Sequence, residues 1–174
     1  MTKFKNTYRI ESARLSEWDY SNPWWYYITV NTKKHIEWFG RIVNEEMKFN
    51  ELGFITNKCW SEIPEHFPDV QLDYFIVMPN HIHGIIVISS LVETRHASSL
   101  RNKTISLSNV VGSFKSAVSK QAHENGFNNF SWHARFYDRI IRNEKELFNI
   151  RKYIFQNPLK WEYENRFPEN ISEF

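Results

Sequence analysis

The 174-residue sequence lacks several features, and each absence excludes a class of protein. It has one cysteine, Cys59, so no disulfide can form within the chain, and a reducing cytoplasm is the expected compartment. The opening residues, MTKFKNTYRI, contain no apolar core of a secretory signal, and no apolar run is long enough to cross a bilayer. Repeats and interdomain linkers are also missing. We therefore expect a single domain over residues 1–174, with no membrane partner.

The formal net charge is small, at +2, so it does not by itself indicate a nucleic-acid partner. The distribution is more informative, because residues 95–123 contain five Lys or Arg and no Asp or Glu. Such a segment can contact phosphate, although a solvated loop and helix face has the same composition. Aromatic residues reach 17%, and Trp24 and Trp25 are candidates for stacking on unpaired bases, with core packing as the alternative.

Hydrophobic periodicity predicts a strand, a hairpin, a helix, two strands, a helix, a strand and a final helix. The segments are WWYYITVNT, WFGRIVNEEMKFN, residues 50–64, VQLDYFIV, HIHGIIVIS, SLSNVVGSFKSAVSKQA, FSWHARFYDRIIR and residues 143–157. This order indicates an α+β fold, with helices packed on a ferredoxin-like antiparallel sheet. Residues 90–104 are polar and predict a loop. The last helix should end near Asn157, because Pro158 disfavours helical geometry at the residue before it.

The stretch VMPNHIHGIIVI places two histidines where a buried strand would rather have Val or Ile. Side chains alternate along a strand, so His81 and His83 point to the same face, with Cα atoms about 7 Å apart. The Pro79-Asn80 turn puts them at the rim of the sheet, on a strand whose later residues are apolar on both faces and therefore predict an inner position. The pair can bind one metal ion or grip one phosphate. Two surface histidines without a ligand are the alternative.

The final helix carries residues that could complete such a site. Tyr153 and Asn157 are four residues apart and share one helix face, where a phenol can reach a cleft and an amide oxygen can bind a metal. Arg151 and Lys152 could hold flanking phosphates. The plainer alternatives are a boundary tyrosine and a helix-end asparagine before proline.

MPNHIHGII with YIFQNP downstream resembles the single-tyrosine transposases of the HUH nuclease superfamily, in particular the REP-associated and insertion-sequence types. The resemblance extends over most of the chain. It includes YSNPWWYYITVNT, NELGFITNKCWSEIPEHFP, VVGSFKSAVSK and RFYDRIIRNEKELFNIRKYIFQNPLKW. It implies that His81 and His83 bind a divalent metal and that Tyr153 is the nucleophile. Asn157 matches the helix amide that completes the metal site, although many relatives carry Gln there, and Gln156 is the fallback ligand.

The resemblance implies a transposase that nicks and joins single-stranded DNA through a 5′-phosphotyrosine intermediate. It further implies hairpin or palindromic DNA ends as the partner, Mg²⁺ or Mn²⁺ as the cofactor, and a monomer or homodimer. Two imidazoles by themselves favour Mn²⁺ or Zn²⁺ over Mg²⁺, so the metal's identity stays open.

The sequence also contains candidates for a general base and for residues that bind DNA. The candidate general base is His133. The candidate DNA-binding residues are Lys115, Lys120, Arg151, Lys152, Trp24 and Trp25. Two other functions stay open: a non-catalytic protein that binds hairpin DNA or RNA, and a metal-dependent phosphohydrolase that uses water in place of Tyr153.

Overall fold

The computed structural model describes residues 3–4, 7–8, 17–89 and 105–166. Its elements are β1 (Lys3–Phe4), β2 (Thr7–Tyr8), β3 (Trp24–Asn31), β4 (Gly40–Val43), β5 (Glu46–Phe49), α1 (Glu51–Ser61), α2 (Ile63–His66), β6 (Val70–Val77), β7 (His81–Ile88), α3 (Leu107–Glu124), β8 (Tyr137–Ile140) and α4 (Glu144–Arg166). A short 3₁₀ turn, Lys33–His35, follows β3. The loop predicted over residues 90–104 lies outside the described residues.

Four strands form one antiparallel sheet in the order β6-β7-β3-β8. The chain order β3-α1-β6-β7-α3-β8 with this strand order is the ferredoxin-like arrangement, so the predicted fold is confirmed. The hairpin β4-β5 is inserted before α1. Strand β7 is an inner strand, as predicted, with seven of its eight residues buried. Within the part of the chain described, no helix combines the length and apolar character needed to cross a membrane.

The alternation of side chains along β3 and β7 divides the interior into two clusters. The larger cluster lies between one sheet face and helices α1 and α3, and includes Tyr26, Ile28, Val30, Ile82, Ile86, Leu52, Trp60, Leu107 and Phe114. The smaller cluster lies between the opposite face and α4, and comprises Tyr27, Ile85, Ile141, Leu147, Ile150 and Ile154. The α4 face therefore combines a compact apolar area with the two histidines.

Helix α4 begins where the sequence predicts, since the Asn143 side chain accepts a hydrogen bond from the N–H of Glu146. The predicted end near Asn157 is wrong, because the helix continues through Pro158 to Arg166. Pro158 is buried, and tertiary packing outweighs the local cost of proline within a helix. The turns beyond it are held in place by Glu162, whose carboxylate accepts a hydrogen bond from the backbone N–H of Glu45.

At a bulge in β6, an ion pair attaches α4 to the edge of the sheet. The register with β7 shifts between Leu72 and Phe75, and Asp73 lies within that shift. Arg151 of α4 donates two hydrogen bonds to Asp73, from Nε at 2.8 Å and Nη2 at 2.5 Å. This bidentate pair lowers the pKa of the Asp73 carboxyl below its ordinary value.

The strand predicted over FSWHARFYDRIIR is shorter than expected, because only Tyr137–Ile140 pairs with β3 as a strand. Trp132 forms an isolated bridge with Thr32. Between these contacts the His133 N–H still donates to the carbonyl of Asn31 in β3, but the carbonyls of His133 and Ala134 accept hydrogen bonds from Lys115 of α3 and not from a strand.

Gly84 provides a stability test of the strand that carries the histidines. A Cβ at Gly84 would lie 2.3 Å from the Trp60 ring, whereas a Cβ at Gly112 of α3 would meet nothing within 4 Å. We expect Gly84→Ala to destabilise the fold by about 1–3 kcal/mol through overpacking. Gly112→Ala should stabilise it by up to about 1 kcal/mol through helix propensity. Urea unfolding measures both. Equal midpoints for the two variants would contradict the packing of Trp60 against β7.

Candidate active site

The two histidines converge on the α4 face of the sheet. In the β3–β7 register His83 lies opposite Thr29, and His81 lies opposite Asn31. The two Nε2 atoms are 3.0 Å apart, and the ring centroids are 4.5 Å apart. Both side chains are nearly buried, with 9% of His81 and 6% of His83 exposed. The pair thus presents two nitrogen atoms to one small volume.

Hydrogen bonds on the opposite side of each ring hold this arrangement. Nδ1 of His81 lies 2.7 Å from the side-chain oxygen of Asn80, whose Nδ2 donates to the carbonyl of His35 at 3.0 Å. Nδ1 of His83 lies 2.8 Å from the Tyr27 hydroxyl and 2.9 Å from the Thr29 hydroxyl. With both Nδ1 atoms occupied, each Nε2 is directed at its neighbour. This is the orientation that ligands of a shared ion require.

Burial keeps both imidazoles neutral near pH 7. Burial, and then the nearby His35, lower the pKa of His81 to about 4, and a hydrogen bond with Asn157 opposes part of that shift. Burial, and then the neighbouring His81, lower the pKa of His83 well below its ordinary value. Burial also raises the pKa of the Tyr27 phenol. The site therefore offers neutral nitrogen ligands and a protonated Tyr27 hydroxyl.

Helix α4 brings Tyr153 and Asn157 to the histidine pair. The Tyr153 ring centroid lies 5.2 Å from that of His83 in an edge-on arrangement, and 41% of the side chain is exposed. Asn157, one turn further along, is buried and hydrogen-bonds with His81. The four residues proposed from sequence as nucleophile and metal ligands are therefore neighbours. The fallback ligand, Gln156, is exposed on α4.

The donor atoms fit a divalent metal. A separation of 3.0 Å between the Nε2 atoms matches two adjacent imidazole ligands that are each about 2.1 Å from one ion. In the described residues, no three His, Cys, Asp or Glu side chains gather into a metal-binding group. A metal here would therefore depend on His81, His83 and the Asn157 amide. That donor set suits Mn²⁺ or Zn²⁺ better than Mg²⁺.

The predicted basic residues do not all lie at this site. Lys152 is exposed on α4 beside Tyr153, whereas Arg151 is paired with Asp73. Lys115 and Lys120 belong to α3, against the opposite sheet face, where Lys115 binds backbone carbonyls and Lys120 lies 3.9 Å from Glu124. His133, the proposed general base, accepts a hydrogen bond at Nδ1 from the N–H of Arg135.

Trp24 and Trp25 lie at the far end of the same sheet. They are 41% and 38% exposed, and they line a cavity of about 530 Å³ together with Val87 and residues 141–144. Asn31, the partner of His81, lies seven residue steps from Trp24 along β3, which corresponds to about 23 Å. A ligand would have to span that distance to reach both places.

Several neighbours of the site were not predicted from the sequence. Tyr27 and Thr29 belong to the predicted strand WWYYITVNT, but only the strand register shows that they face His83. Trp161, whose ring centroid lies 5.8 Å from that of His81, and Lys160, whose Nζ lies 5.9 Å from the Tyr153 ring centroid, follow the point where the helix was expected to end. Asn80 directly precedes His81 in the motif, and this adjacency could have indicated the contact between their side chains.

The chain is similar to known proteins in sequence and in fold. No family model matches the chain. An uncharacterized protein from Haemophilus influenzae is 36% identical over 165 residues, a match that covers 90% of this chain and 92% of that protein. Among solved structures, the REP-associated tyrosine transposase bound to a REP hairpin superposes with a TM-score of 0.51 at 20% identity, covering 84% of this chain and 74% of that one. This second likeness shows that the fold is transposase-like.

The histidine pair predicts a pH dependence of stability. His81 has an ordinary pKa of 6.5 and a folded pKa of about 4, so the unfolded chain binds the proton more readily. The stability present above pH 6.5 is lost as the pH falls towards 4, by about 3 kcal/mol for His81. Urea unfolding between pH 7.5 and 4.5 measures this loss. It should be smaller in His81→Gln and unchanged in His66→Gln, where the substituted side chain is exposed. Identical pH profiles for wild type and His81→Gln would contradict the assignment.

Proposed function

This chain belongs to the family of the uncharacterized Haemophilus influenzae protein, and we propose that it is a transposase-type endonuclease and strand transferase. It acts on single-stranded hairpin DNA through a covalent 5′-phosphotyrosine intermediate. The observation that carries the proposal is the Tyr153 ring, 5.2 Å from a histidine whose Nε2 lies 3.0 Å from that of a second histidine. The solved transposase with the same fold is bound to a REP hairpin, which supports hairpin DNA as the substrate class.

The proposed reaction has two transfer steps at one phosphorus atom. The Tyr153 oxygen bonds to a backbone phosphorus while the bond from that phosphorus to the 3′ oxygen breaks. The phenol loses its proton and the leaving oxygen gains one, so the products are a 5′-phosphotyrosine and a 3′-hydroxyl. A 3′-hydroxyl from another DNA end then displaces the tyrosine. The covalent intermediate preserves the phosphodiester energy, so joining needs no nucleotide cofactor.

The residues around Tyr153 have roles that follow from their positions. His81, His83 and the Asn157 amide oxygen would hold a divalent cation, which when bound supplies charge stabilisation for the phosphate oxygens. Tyr153 is partly exposed, so its hydroxyl can be reached by a DNA strand in solution. The Lys160 amine lies 5.9 Å from the Tyr153 ring centroid and 3.6 Å from the Glu164 carboxylate, so it would place positive charge beside the phosphate by exchanging that carboxylate for it.

We also propose the α4 face of the molecule as the surface that binds DNA near the cleaved phosphate. Lys152 is exposed next to the nucleophile, and Lys33 and Lys34 are exposed in the turn whose residue His35 binds Asn80. At the far end, the partly exposed indoles of Trp24 and Trp25 can stack on unpaired bases. Lys115 and Lys120 lie on the opposite side, with their amines near carbonyl or carboxylate oxygens.

Covalent capture tests the reaction. With Mn²⁺ and a labelled single-stranded hairpin oligonucleotide, the wild-type protein should give a protein–DNA band on a denaturing gel. Tyr153→Phe should give no such band, because phenylalanine has no oxygen that can bond to phosphorus. Tyr163→Phe is the matched control, because it removes a hydroxyl about 15 Å further along the same helix. Cleavage without a covalent band would support the water-using phosphohydrolase, and binding without cleavage would support the hairpin-binding protein.

Salt-dependent binding tests the DNA surface. Each Lys–phosphate contact contributes about one unit to the slope of log affinity against log salt concentration. We expect Lys152→Ala to weaken hairpin binding and to lower that slope by about 1. Lys120→Ala, the matched control on α3, should leave affinity and slope unchanged. Fluorescence anisotropy over a salt series gives the affinity and the slope for each variant. If Lys120→Ala weakened hairpin binding more than Lys152→Ala did, the DNA would instead bind on the α3 side.

A further inference from the structure

We infer that the hydroxyls of Tyr27 and Thr29 let His83 switch the nitrogen that carries its proton, so that the histidine pair has one tautomer pattern without a cation and another with it. The inference rests on the proposed function, because the cation is the one assigned there. Both residues contact His83 through its Nδ1, at 2.8 Å for Tyr27 and 2.9 Å for Thr29. They are positioning residues, since they act on the phosphate only through the histidine.

His81 is locked in one tautomer. The Asn80 Nδ2 donates to the His35 carbonyl, which directs the amide oxygen of Asn80 at Nδ1 of His81, 2.7 Å away. An amide oxygen can only accept a hydrogen bond, so Nδ1 of His81 must carry the proton. In the neutral ring, Nε2 of His81 then holds a lone pair in every state of the site.

His83 has the opposite tautomer when no cation is bound. Its Nε2 lies 3.0 Å from the Nε2 lone pair of His81, and two lone pairs at that distance would repel. Nε2 of His83 therefore carries the proton and donates it to His81. Nδ1 of His83 becomes an acceptor. The Tyr27 hydroxyl can donate to it, while the Thr29 hydroxyl can donate either to Nδ1 or to the Tyr27 oxygen 3.3 Å away. This pattern satisfies all four ring nitrogens.

A cation shared by the two rings needs lone pairs on both Nε2 atoms. His81 already offers one, whereas His83 must release the proton at Nε2 and take one up at Nδ1, with no net change in proton number. A hydroxyl accepts as well as donates, so the O–H groups of Tyr27 and Thr29 can rotate and accept from the new N–H. A carboxylate or carbonyl in their place would serve only the loaded pattern. The two hydroxyls are thus suited to a site that exists in both states.

Nitrogen chemical shifts of ¹⁵N-labelled histidine test the switch directly. In the wild-type protein without a cation, His81 should be protonated at Nδ1 and His83 at Nε2. Addition of Zn²⁺, which is diamagnetic, should move the His83 proton to Nδ1 and leave His81 unchanged. A His83 ring that already carries its proton on Nδ1 in the free protein would overturn the inference. A change of tautomer at His81 would overturn it too.

Cation affinity tests the role of the hydroxyls without any DNA reaction. By titration calorimetry with Zn²⁺ and Mn²⁺, Tyr27→Phe with Thr29→Val should bind about 10–100-fold more weakly than wild type. Tyr27→Phe alone keeps the ring in the core, and it should show a smaller loss of cation affinity. This single variant provides the test if the double variant does not fold. Thr29→Ser retains a hydroxyl and should bind normally.

The matched control is Tyr137→Phe, since Tyr137 packs edge-on against Tyr27, with ring centroids 6.4 Å apart. It should bind both ions with wild-type affinity. Equal affinity of the double variant and wild type, or a wild-type protein that binds neither ion, would overturn the inference. A protein that switches tautomer and binds Zn²⁺, yet forms no covalent adduct with DNA, would overturn the proposed function and leave this inference intact.

Discussion

The arrangement of the candidate site depends on one contact, the approach of two imidazole nitrogens to 3.0 Å on the buried strand β7. That contact fixes the relative position of the two rings, and it persists because each ring is held from behind. Asn80 and the strained turn at His35, where φ is 54°, hold one ring, and two hydroxyls of β3 hold the other. Such support behind two candidate metal ligands makes a site rigid before a cation binds.

The same strand is also the centre of the core, and this double use limits how the chain can vary. On one face β7 places Ile82, Gly84 and Ile86 against the larger cluster, where Gly84 leaves room for the Trp60 ring. On the other face it presents His81 and His83 to α4. A shift of one residue in the pairing with β3 would exchange the two sets, and would place the imidazoles against the larger apolar cluster and the isoleucines against α4. Core packing therefore specifies the register on which the histidine geometry relies.

The sequence predicted the elements better than the contacts between elements. Period-two and helical patterns are local, so the strands, the inner position of β7 and the start of α4 could be predicted. Arg151 shows the limit, since its partner Asp73 lies 78 positions away in a bulge that no local pattern reveals. The prediction of where α4 ends was wrong for a related reason. The rule that a helix stops before proline considers only the backbone, whereas buried Pro158 and the Glu162 contact stabilise the continued helix.

Continuation of α4 through Pro158 has a consequence for Tyr153. The helix is attached to the sheet on one side of the tyrosine by Arg151 and Asp73, and to the β4–β5 turn on the other side by Glu162 and Glu45. Ile154, between these attachments, and Ile150, just before the first, pack into the smaller cluster. A rotation of α4 that carried Tyr153 away from His83 would break both attachments and expose the apolar side chains. A helix that ended at Asn157 would lack the second attachment, so the residues after the proline help to keep the phenol beside the histidines.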